Sequence, residues 1–227
     1  MNRWRRPQAS PRYAVCRRAL RGMPLQVPAE LLTTASVAEW VRRRGLGVDV
    51  SSAEELRLAL AAGVPAERVA AQCADDAAIE AAVAARVGRF IVGTWSEVML
   101  LARCRPSAPR VLLDVTKGPG DRMAASLMAA ARVDVVGLRH RISGDDDDAG
   151  EAAHAMVEQM ARLRRSHDVI LTRLCLSGFG HGGGDAQALR QGVHRLQLTV
   201  EEACAELRYP RPALGLSLHA AALVSAG

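Results

Sequence analysis

Short apolar runs recur along the chain at intervals of roughly 20–35 residues, and they are rich in aliphatic and β-branched side chains. Runs of this length with little alternation are typical of strands that are buried on both faces of a parallel sheet. Eight strands are therefore predicted, over residues 24–30, 46–50, 67–72, 89–94, 110–116, 134–140, 168–176 and 212–219.

Helical periodicity lies between these runs. Ser52 and Glu55, and again Thr94 and Glu97, have the spacing of a capping box, in which paired side chains satisfy free backbone N–H groups at a helix start. Gly63 provides a stop for the helix that begins after Ser52. Helices are predicted over 34–44, 53–62, 75–86, 98–103, 121–132, 149–165 and 185–207.

Strands that alternate with helices predict an α/β fold with a parallel sheet. A single (β/α)8 TIM-type barrel is the favoured arrangement, and an open doubly wound sheet is the alternative. The length of 227 residues suits one barrel, which typically needs roughly 200–250 residues. We expect residues 1–22 to form a basic N-terminal arm and helix, and 23–227 to form the barrel. Functional groups should then lie at the C-terminal ends of the strands.

The net charge is +6, and Lys117 is the only lysine. Arginines are scattered along the helices, whereas a nucleic-acid binder would concentrate its charge on one face, so no nucleic acid is expected as a partner. A solvated surface encoded by an arginine-rich, bacterial genome is the simpler interpretation. No apolar run reaches the roughly 18 residues of a membrane span, so no membrane association is expected. The 5 cysteines form no C-x-x-C pair, which argues against disulfides or zinc and fits a cytoplasmic location.

Two segments carry a resemblance to a known family. GLGVDVSSAEEL, residues 45–56, and VGRFIVGTWSEV, residues 87–98, are similar to the diaminopimelate and ornithine decarboxylase type of pyridoxal-phosphate enzymes. These are fold-type III enzymes, related to alanine racemase. The resemblance implies a pyridoxal-phosphate-binding barrel from a family of carbon–carbon lyases. A C-terminal β-domain follows the barrel in that family, and we expect it to be missing here. Weaker similarity continues over 111–118, 136–144, 174–180 and 214–227.

The resemblance places Glu30 at the position of the family's catalytic lysine. Only a lysine amine forms the internal aldimine with the cofactor, so no covalently held pyridoxal phosphate is expected. A carboxylate at roughly 6 Å from an anionic cofactor group would cost about 3 kcal/mol at an effective dielectric of about 20. Arg139 or Arg141 is a candidate partner that would relieve this charge. Lys117, in a T-K-G-P-G segment, is expected to be a solvated turn residue.

The other cofactor contacts of the family are altered as well. By the same resemblance, Arg141 replaces a histidine that stacks on the cofactor ring, and Gly144 replaces a phosphate-binding serine. The family's E-P-G-R segment becomes residues 217–220. A glycine-rich loop is kept, and its backbone N–H groups could still approach a phosphate. The candidate anion or phosphate pocket comprises Arg139, Arg141, Ser177, Gly178, Gly180 and Gly182.

Three functions remain open at this point. The first is a decarboxylase-like pseudoenzyme that acts through a retained pocket for a small anionic ligand or through a partner. That partner would be a second copy of the chain or an active decarboxylase homologue. The second is an enzyme with reassigned chemistry on a small anionic substrate, in which Glu30 and His219 are catalytic and Arg139 and Arg141 bind the substrate. The third is a single-barrel protein that binds pyridoxal phosphate and serves cofactor homeostasis, in which Lys117 would have to form the imine.

A metal site is not expected. His140, His181 and His219 follow different strands and could converge at the barrel mouth, where three imidazoles would suggest zinc. No short, fixed spacing between them supports this interpretation.

Overall fold

Eight parallel strands close into a barrel in which each strand pairs with its neighbours in chain order and β8 returns to β1. The structure is a computed structural model, and it describes residues 20, 23–72, 74–104, 109–118, 120–129, 133–142, 148–180 and 186–220. The prediction of a single (β/α)8 barrel is confirmed, and the alternative of an open sheet is wrong because β8 hydrogen-bonds to β1.

The strands are β1 (Leu25–Pro28), β2 (Gly47–Val50), β3 (Val69–Gln72), β4 (Arg89–Val92), β5 (Arg110–Asp114), β6 (Asp134–Arg141), β7 (Arg173–Phe179) and β8 (Ala213–Leu218). The α-helices of the described part are α1 (Ala35–Arg44), α2 (Ala53–Ala61), α3 (Asp76–Ala84), α4 (Trp95–Arg103), α5 (Asp121–Ala129), α6 (Asp148–His167) and α7 (Ala186–Glu206). Two short 3₁₀ helices cover Ala29–Thr33 and Ala66–Arg68.

The predicted capping signals act at the helix starts. Thr94 and Glu97 form a complete capping box at α4. At α2 the Ser52 hydroxyl accepts a hydrogen bond from the Glu55 N–H at 3.1 Å, but the Glu55 carboxylate reaches the N–H of Ser51 instead of that of Ser52. The side chains of Glu55 and Glu97 therefore hold the loops at the C-terminal ends of β2 and β4, which is the end of a barrel that carries the functional site.

The bounds of all eight strands differ from the predicted ones by at least one residue, and the differences at the seventh and first strands have identifiable causes or consequences. Residues 168–172 are not in a strand, because Asp168 has a positive φ of 54° and the Leu171 N–H donates to the Tyr209 hydroxyl at 2.8 Å. The first strand ends at Pro28, and Glu30 lies in the 3₁₀ helix that follows. The predicted helix within residues 1–22 lies outside the described residues, of which only Leu20 belongs to that range.

Apolar residues pack in two places. The larger cluster fills the space between the strands and the surrounding helices. A small cluster of Ala70, Ile91, Leu112 and Val136, with Cys175 against it, is packed separately inside the barrel. This inner cluster marks the waist of the barrel, with one cavity towards each end.

Among the described residues, no helix is long and apolar enough to cross a membrane.

Candidate functional site

The C-terminal end of the barrel holds a cavity of about 480 Å³, here called the mouth cavity. It lies where the strand ends were expected to gather functional groups. Its lining residues are Pro28, Glu30, Asp49, Val50, Ser51, Glu55, Gln72, Ile91, Arg139, Arg141, Ile142, Ser177, Gly178, Ser217, Leu218, His219 and Ala220.

Most of the residues singled out from the sequence meet in this cavity. Glu30 lines it from an exposed position on the rim, and His219 lines it from the end of β8. The pocket residues Arg139, Arg141, Ser177 and Gly178 also line it. Gly180 is buried in the turn after β7 and is not among the lining residues. Gly182, together with His181 and Gly144, lies outside the described residues.

Arg139 is already paired inside the barrel. Its Nη1 donates to Oδ2 of Asp114 at 2.6 Å, and the side chains are only 7% and 17% exposed. Asp114 also accepts a hydrogen bond from the Thr116 N–H at 3.0 Å, which holds the carboxylate in place. Among the described residues Glu30 forms no ion pair, so the expected relief of its charge by Arg139 is not found. Arg139 therefore neutralises a carboxylate that the sequence analysis did not single out.

Asp49, on β2, is a half-buried acid that lines the mouth cavity. Its Oδ1 accepts from Gln26 Nε2 at 2.9 Å, and its Oδ2 accepts from the Ser217 hydroxyl at 2.5 Å. Burial raises the pKa of Asp49 above its ordinary value of 3.8, although Arg139 and the Ser217 hydrogen bond oppose this shift. A carboxyl with a raised pKa inside a cavity is a candidate acid–base group. No sequence pattern singled out Asp49, although it lies within the GLGVDVSS segment that carries the resemblance.

The glycine near the end of β7, Gly178, has a backbone that other residues adopt only with strain. Gly178 has a φ of 86°, and a Cβ there would lie 2.7 Å from the Ile142 carbonyl oxygen. The strand register shifts between Ser177 and Phe179, so Gly178 is the extra residue of a bulge. The Ser177 hydroxyl donates to the His140 carbonyl at 3.4 Å, and it is therefore not free for a ligand in this arrangement.

The charges around the mouth cavity are mixed. Three carboxylates line it, those of Glu30, Asp49 and Glu55, against the guanidinium groups of Arg139 and Arg141. Since Arg139 serves Asp114, Arg141 is the main cation available to an anionic ligand. It is exposed, and its N–H donates to the Thr116 hydroxyl at 2.8 Å. Anion binding would thus occur on the side of β6 and β7, away from the acids of the 3₁₀ helix after β1 (Glu30), of β2 (Asp49) and of α2 (Glu55).

The only lysine of the chain is not in this cavity. Lys117 is exposed in the turn after β5 and lines a separate groove of about 620 Å³ with Trp95 and Met123. An aldehyde cofactor placed in the mouth cavity would therefore meet no amine with which to form an imine. The residues present do not fit a covalently held pyridoxal phosphate. Among the described residues, no cluster of three or more histidine, cysteine or acidic side chains could hold a metal ion.

The comparisons with known proteins agree on one family. Residues 31–131 match the family described as pyridoxal-dependent decarboxylase, pyridoxal binding domain. The chain is 25% identical to a diaminopimelate decarboxylase of Actinosynnema pretiosum subsp. auranticum over 249 aligned positions. That alignment covers 93% of this chain and 55% of the relative.

Solved structures share the fold. A diaminopimelate decarboxylase from M. jannaschii superposes with a TM-score of 0.78 at 16% identity, over 95% of this chain and 59% of that one. A lysine/ornithine decarboxylase from Vibrio vulnificus, complexed with cadaverine, gives a TM-score of 0.72 at 18% identity, over 91% and 59% of the two chains. The sequence thus spans little more than half the length of the proteins it is similar to.

Proposed function

Since the chain belongs to the fold-type III family of pyridoxal-phosphate-dependent decarboxylases, we propose that it is a decarboxylase-like pseudoenzyme. In this proposal the barrel keeps the family's fold and a mouth cavity but does not carry out pyridoxal-phosphate-dependent decarboxylation. One observation carries the proposal. Glu30 stands on the rim of the mouth cavity, at the position that the resemblance assigns to the catalytic lysine.

The arrangement around Glu30 supports this assignment. The cavity has three carboxylates on its β1 and β2 side, and the cationic Arg139 is occupied by Asp114. A dianionic phosphate ester with a phenolate oxygen would face these carboxylates without an imine to hold it. Arg141 and the Gly178 bulge provide a smaller anion pocket on the opposite side.

The decisive experiment is reduction with borohydride after incubation with pyridoxal phosphate. We expect no pyridoxyl adduct on the native chain, and a new adduct on Glu30→Lys. Glu202→Lys is the matched control, because it adds a lysine at an exposed position of α7 outside the mouth cavity. A native adduct that disappears in Lys117→Arg would overturn the proposal and favour a role in cofactor handling.

The anion pocket has its own test. Arg141→Gln should weaken the noncovalent binding of pyridoxal phosphate in calorimetry by about tenfold, because a charge-assisted hydrogen bond contributes about 1.5–3 kcal/mol. Arg165→Gln removes the same charge at an exposed site on α6 that does not line the mouth cavity. Equal binding by both variants would remove the pocket from the proposal.

A partner is part of the proposal. Trp95 and Met99 lie one turn apart on α4 and are 52% and 51% exposed, and Trp95 lines the groove that also holds Lys117. Large exposed apolar side chains that adjoin one another favour a protein interface. We propose a second copy of the chain, or an active decarboxylase homologue, as the partner. A cytoplasmic location is proposed with it, and the described cysteines Cys104, Cys175 and Cys204 are all free.

The partner is tested by light scattering and by co-purification from the producing cell. We expect a dimer or a captured pyridoxal-phosphate enzyme with the native chain, and loss of either in Trp95→Ser. Leu198→Ser, at a residue that is 42% exposed on α7, is the matched control. A monodisperse monomer that captures no homologue would contradict this part of the proposal.

A second function is favoured by Asp49. Its raised pKa and its 2.5 Å hydrogen bond from Ser217 suit a general acid or base that acts on a small anionic substrate held by Arg141. His219 lines the same cavity. Turnover of small carboxylates or phosphate esters that is lost in Asp49→Asn but kept in Glu30→Gln would support this function. Loss in Glu30→Gln alone would assign the chemistry to Glu30, and no turnover with any of these substrates would contradict the second function.

A further inference from the structure

A second cavity opens at the other end of the barrel, below the inner apolar cluster. It has a volume of about 240 Å³ and is here called the floor cavity. None of the described residues that line it also lines the mouth cavity. Its lining residues are Met23, Pro24, Leu25, Gln26, Arg44, Gly45, Leu46, Gly47, Glu67, Arg68, Arg89, Arg173, Cys175, Ala213 and Gly215.

Small residues keep the floor cavity open. A Cβ at Gly47, on β2, would lie 2.8 Å from Gln26 Cγ, and one at Gly215, on β8, would lie 3.4 Å from Cys175 Sγ. Ala213 begins β8 at an exposed position. The N-terminal ends of β2 and β8 therefore carry almost no side-chain volume, and the space between them is open to solvent.

Four arginines converge on this space. Arg89, on β4, and Arg173, on β7, are half-buried, while Arg44 and Arg68 are exposed at the rim. Glu67 is the only carboxylate among the described residues that line the cavity. Within the part of the chain that the structure describes, none of the four arginines forms an ion pair at 4 Å or less.

The surroundings of Arg89 do not satisfy all the hydrogen-bond donors of its guanidinium. Its Nε is buried and has no hydrogen-bond partner among the described residues. Burial, together with repulsion by Arg173 and Arg110, lowers the pKa of Arg89, although nearby Cys175 and Asp49 oppose this. Buried donors without a partner are rare in native proteins, and one that adjoins a cationic cavity indicates a missing acceptor.

We propose that the floor cavity binds a small oxyanion of the phosphate class, held by Arg89 and Arg173 from inside and by Arg68 from the rim. A guanidinium presents its N–H donors in a planar fork that matches phosphate oxygens, and two such groups facing one cavity suit a multivalent oxyanion better than a halide. The volume is several times the roughly 30 Å³ of a water molecule, which is enough for phosphate or a small phosphate ester.

Cys175 does not neutralise the arginines of the floor cavity. Burial raises the pKa of its thiol to about 11, so the thiol is neutral at physiological pH and adds no negative charge to the floor cavity. Asp49 lines the mouth cavity and accepts hydrogen bonds from Gln26 and Ser217, so it acts on Arg89 only through space. With four arginines against Glu67 among the described lining residues, the floor cavity keeps a net positive charge for an external anion.

The test is calorimetric titration of the full chain with inorganic phosphate and with glycerol phosphate, at constant ionic strength set with chloride. We expect saturable binding that is weakened about tenfold or more in Arg89→Gln and in Arg173→Gln. Arg165→Gln is the matched control for loss of charge. Arg141→Gln removes the mouth cavity's cation that is unpaired among the described residues and should leave phosphate binding at the floor cavity unchanged, which separates the two sites. Failure of the pseudoenzyme proposal would not alter the effects of Arg89→Gln and Arg173→Gln.

Ala213→Glu tests the same cavity without removing an arginine, in case Arg89→Gln or Arg173→Gln fails to fold. It places a carboxylate beside Arg173, its strand-pairing partner on β7, and should abolish phosphate binding while it leaves the native melting temperature equal or higher. Binding of inorganic phosphate but not of the ester would restrict the ligand to the free ion. Equal phosphate binding by the native chain, Arg89→Gln and Ala213→Glu would overturn the proposal.

Discussion

The two ends of the barrel carry opposite charge arrangements on one frame. Among the described residues, three carboxylates and two guanidiniums line the mouth cavity, whereas four guanidiniums and one carboxylate line the floor cavity. At the mouth the buried arginine, Arg139, has a carboxylate at 2.6 Å. At the floor the half-buried Arg89 has an Nε with no partner among the described residues.

This difference shows that a buried guanidinium can have two roles, one structural and one in ligand binding. A guanidinium with a fixed carboxylate partner holds the fold at that point, and its removal leaves the partner uncompensated. A guanidinium without a partner carries the desolvation cost alone, and an anion that reaches it is bound in consequence. In barrel enzymes the C-terminal end usually holds the ligand site and the N-terminal end usually serves stability. Here the uncompensated positive charge lies at the N-terminal end.

The largest effect is expected from breaking the buried pair at the mouth. Arg139→Ala should lower the free energy of unfolding by about 3–5 kcal/mol, because Asp114 would remain buried without its cation. Denaturant unfolding at neutral pH measures this loss. Arg211→Ala, which removes one partner of the exposed pair with Glu201, should cost less than about 1 kcal/mol. Equal losses in the two variants would show that the mouth pair is not structural.

The bulge on β7 comes next. Gly178→Ala should destabilise the protein by about 1–3 kcal/mol, because alanine is strained at a φ of 86° and its Cβ would lie 2.7 Å from the Ile142 carbonyl oxygen. Gly150→Ala is the matched control. Its Cβ would meet only the Thr199 hydroxyl, at 3.7 Å, and within helix α6 alanine should stabilise by up to about 1 kcal/mol. A neutral Gly178→Ala would mean that this loop is not fixed by its backbone.

The contrast between the ends also explains what the sequence could and could not predict. The strand and helix order followed from apolar runs and capping residues such as Thr94 and Glu97, because these signals are local. The meeting of Glu30, Arg141 and His219 followed from the rule that strand ends of a barrel converge. The Asp114–Arg139 pair joins residues on two strands, and no local pattern marks it.

The floor cavity was missed for a related reason. Arg89 and Arg173 were not singled out, because Arg89 begins a predicted strand, Arg173 lies within another, and neither position alone marks a cavity. Their convergence depends on which residue of each strand points into the barrel, and a shift of one position would reverse this. The sequence did carry one signal, the glycines Gly47 and Gly215. A glycine inside a strand marks a place where a ligand or another chain segment comes close to the backbone.

Asp49 should give a pH dependence of intermediate size. Its folded-state pKa lies above the ordinary 3.8, so the folded chain holds this proton more tightly than the unfolded chain. The resulting stability is complete below about pH 4 and is lost as pH rises through the folded-state pKa. Asp49→Asn should therefore lose less stability than the native chain between pH 4 and pH 8. Glu202→Gln, at an exposed carboxylate, should follow the native curve.

Unfolding curves measured at several pH values settle the sign of this effect. Native and Asp49→Asn curves that run parallel would mean that the mouth acid is ionised without cost. A native chain that gains relative stability on going from pH 4 to pH 8 would contradict the raised pKa of Asp49, and with it the argument for an acid–base group in the mouth cavity.

The smallest effect is expected at the floor, and its sign is the informative quantity. Arg173→Gln should change the free energy of unfolding by less than about 1 kcal/mol in phosphate-free buffer of low ionic strength, in the direction of higher stability. The reason is that Arg173 repels Arg89, whose pKa it lowers, and has no carboxylate partner within 4 Å among the described residues. Sodium chloride should reduce the gain because it screens the partly exposed charges. Added phosphate should reverse it, since only the native floor would then hold the anion. A loss of stability in phosphate-free buffer, of the size expected for Arg139→Ala, would mean that the floor arginines have partners like the one at the mouth and that the two ends of the barrel do not differ.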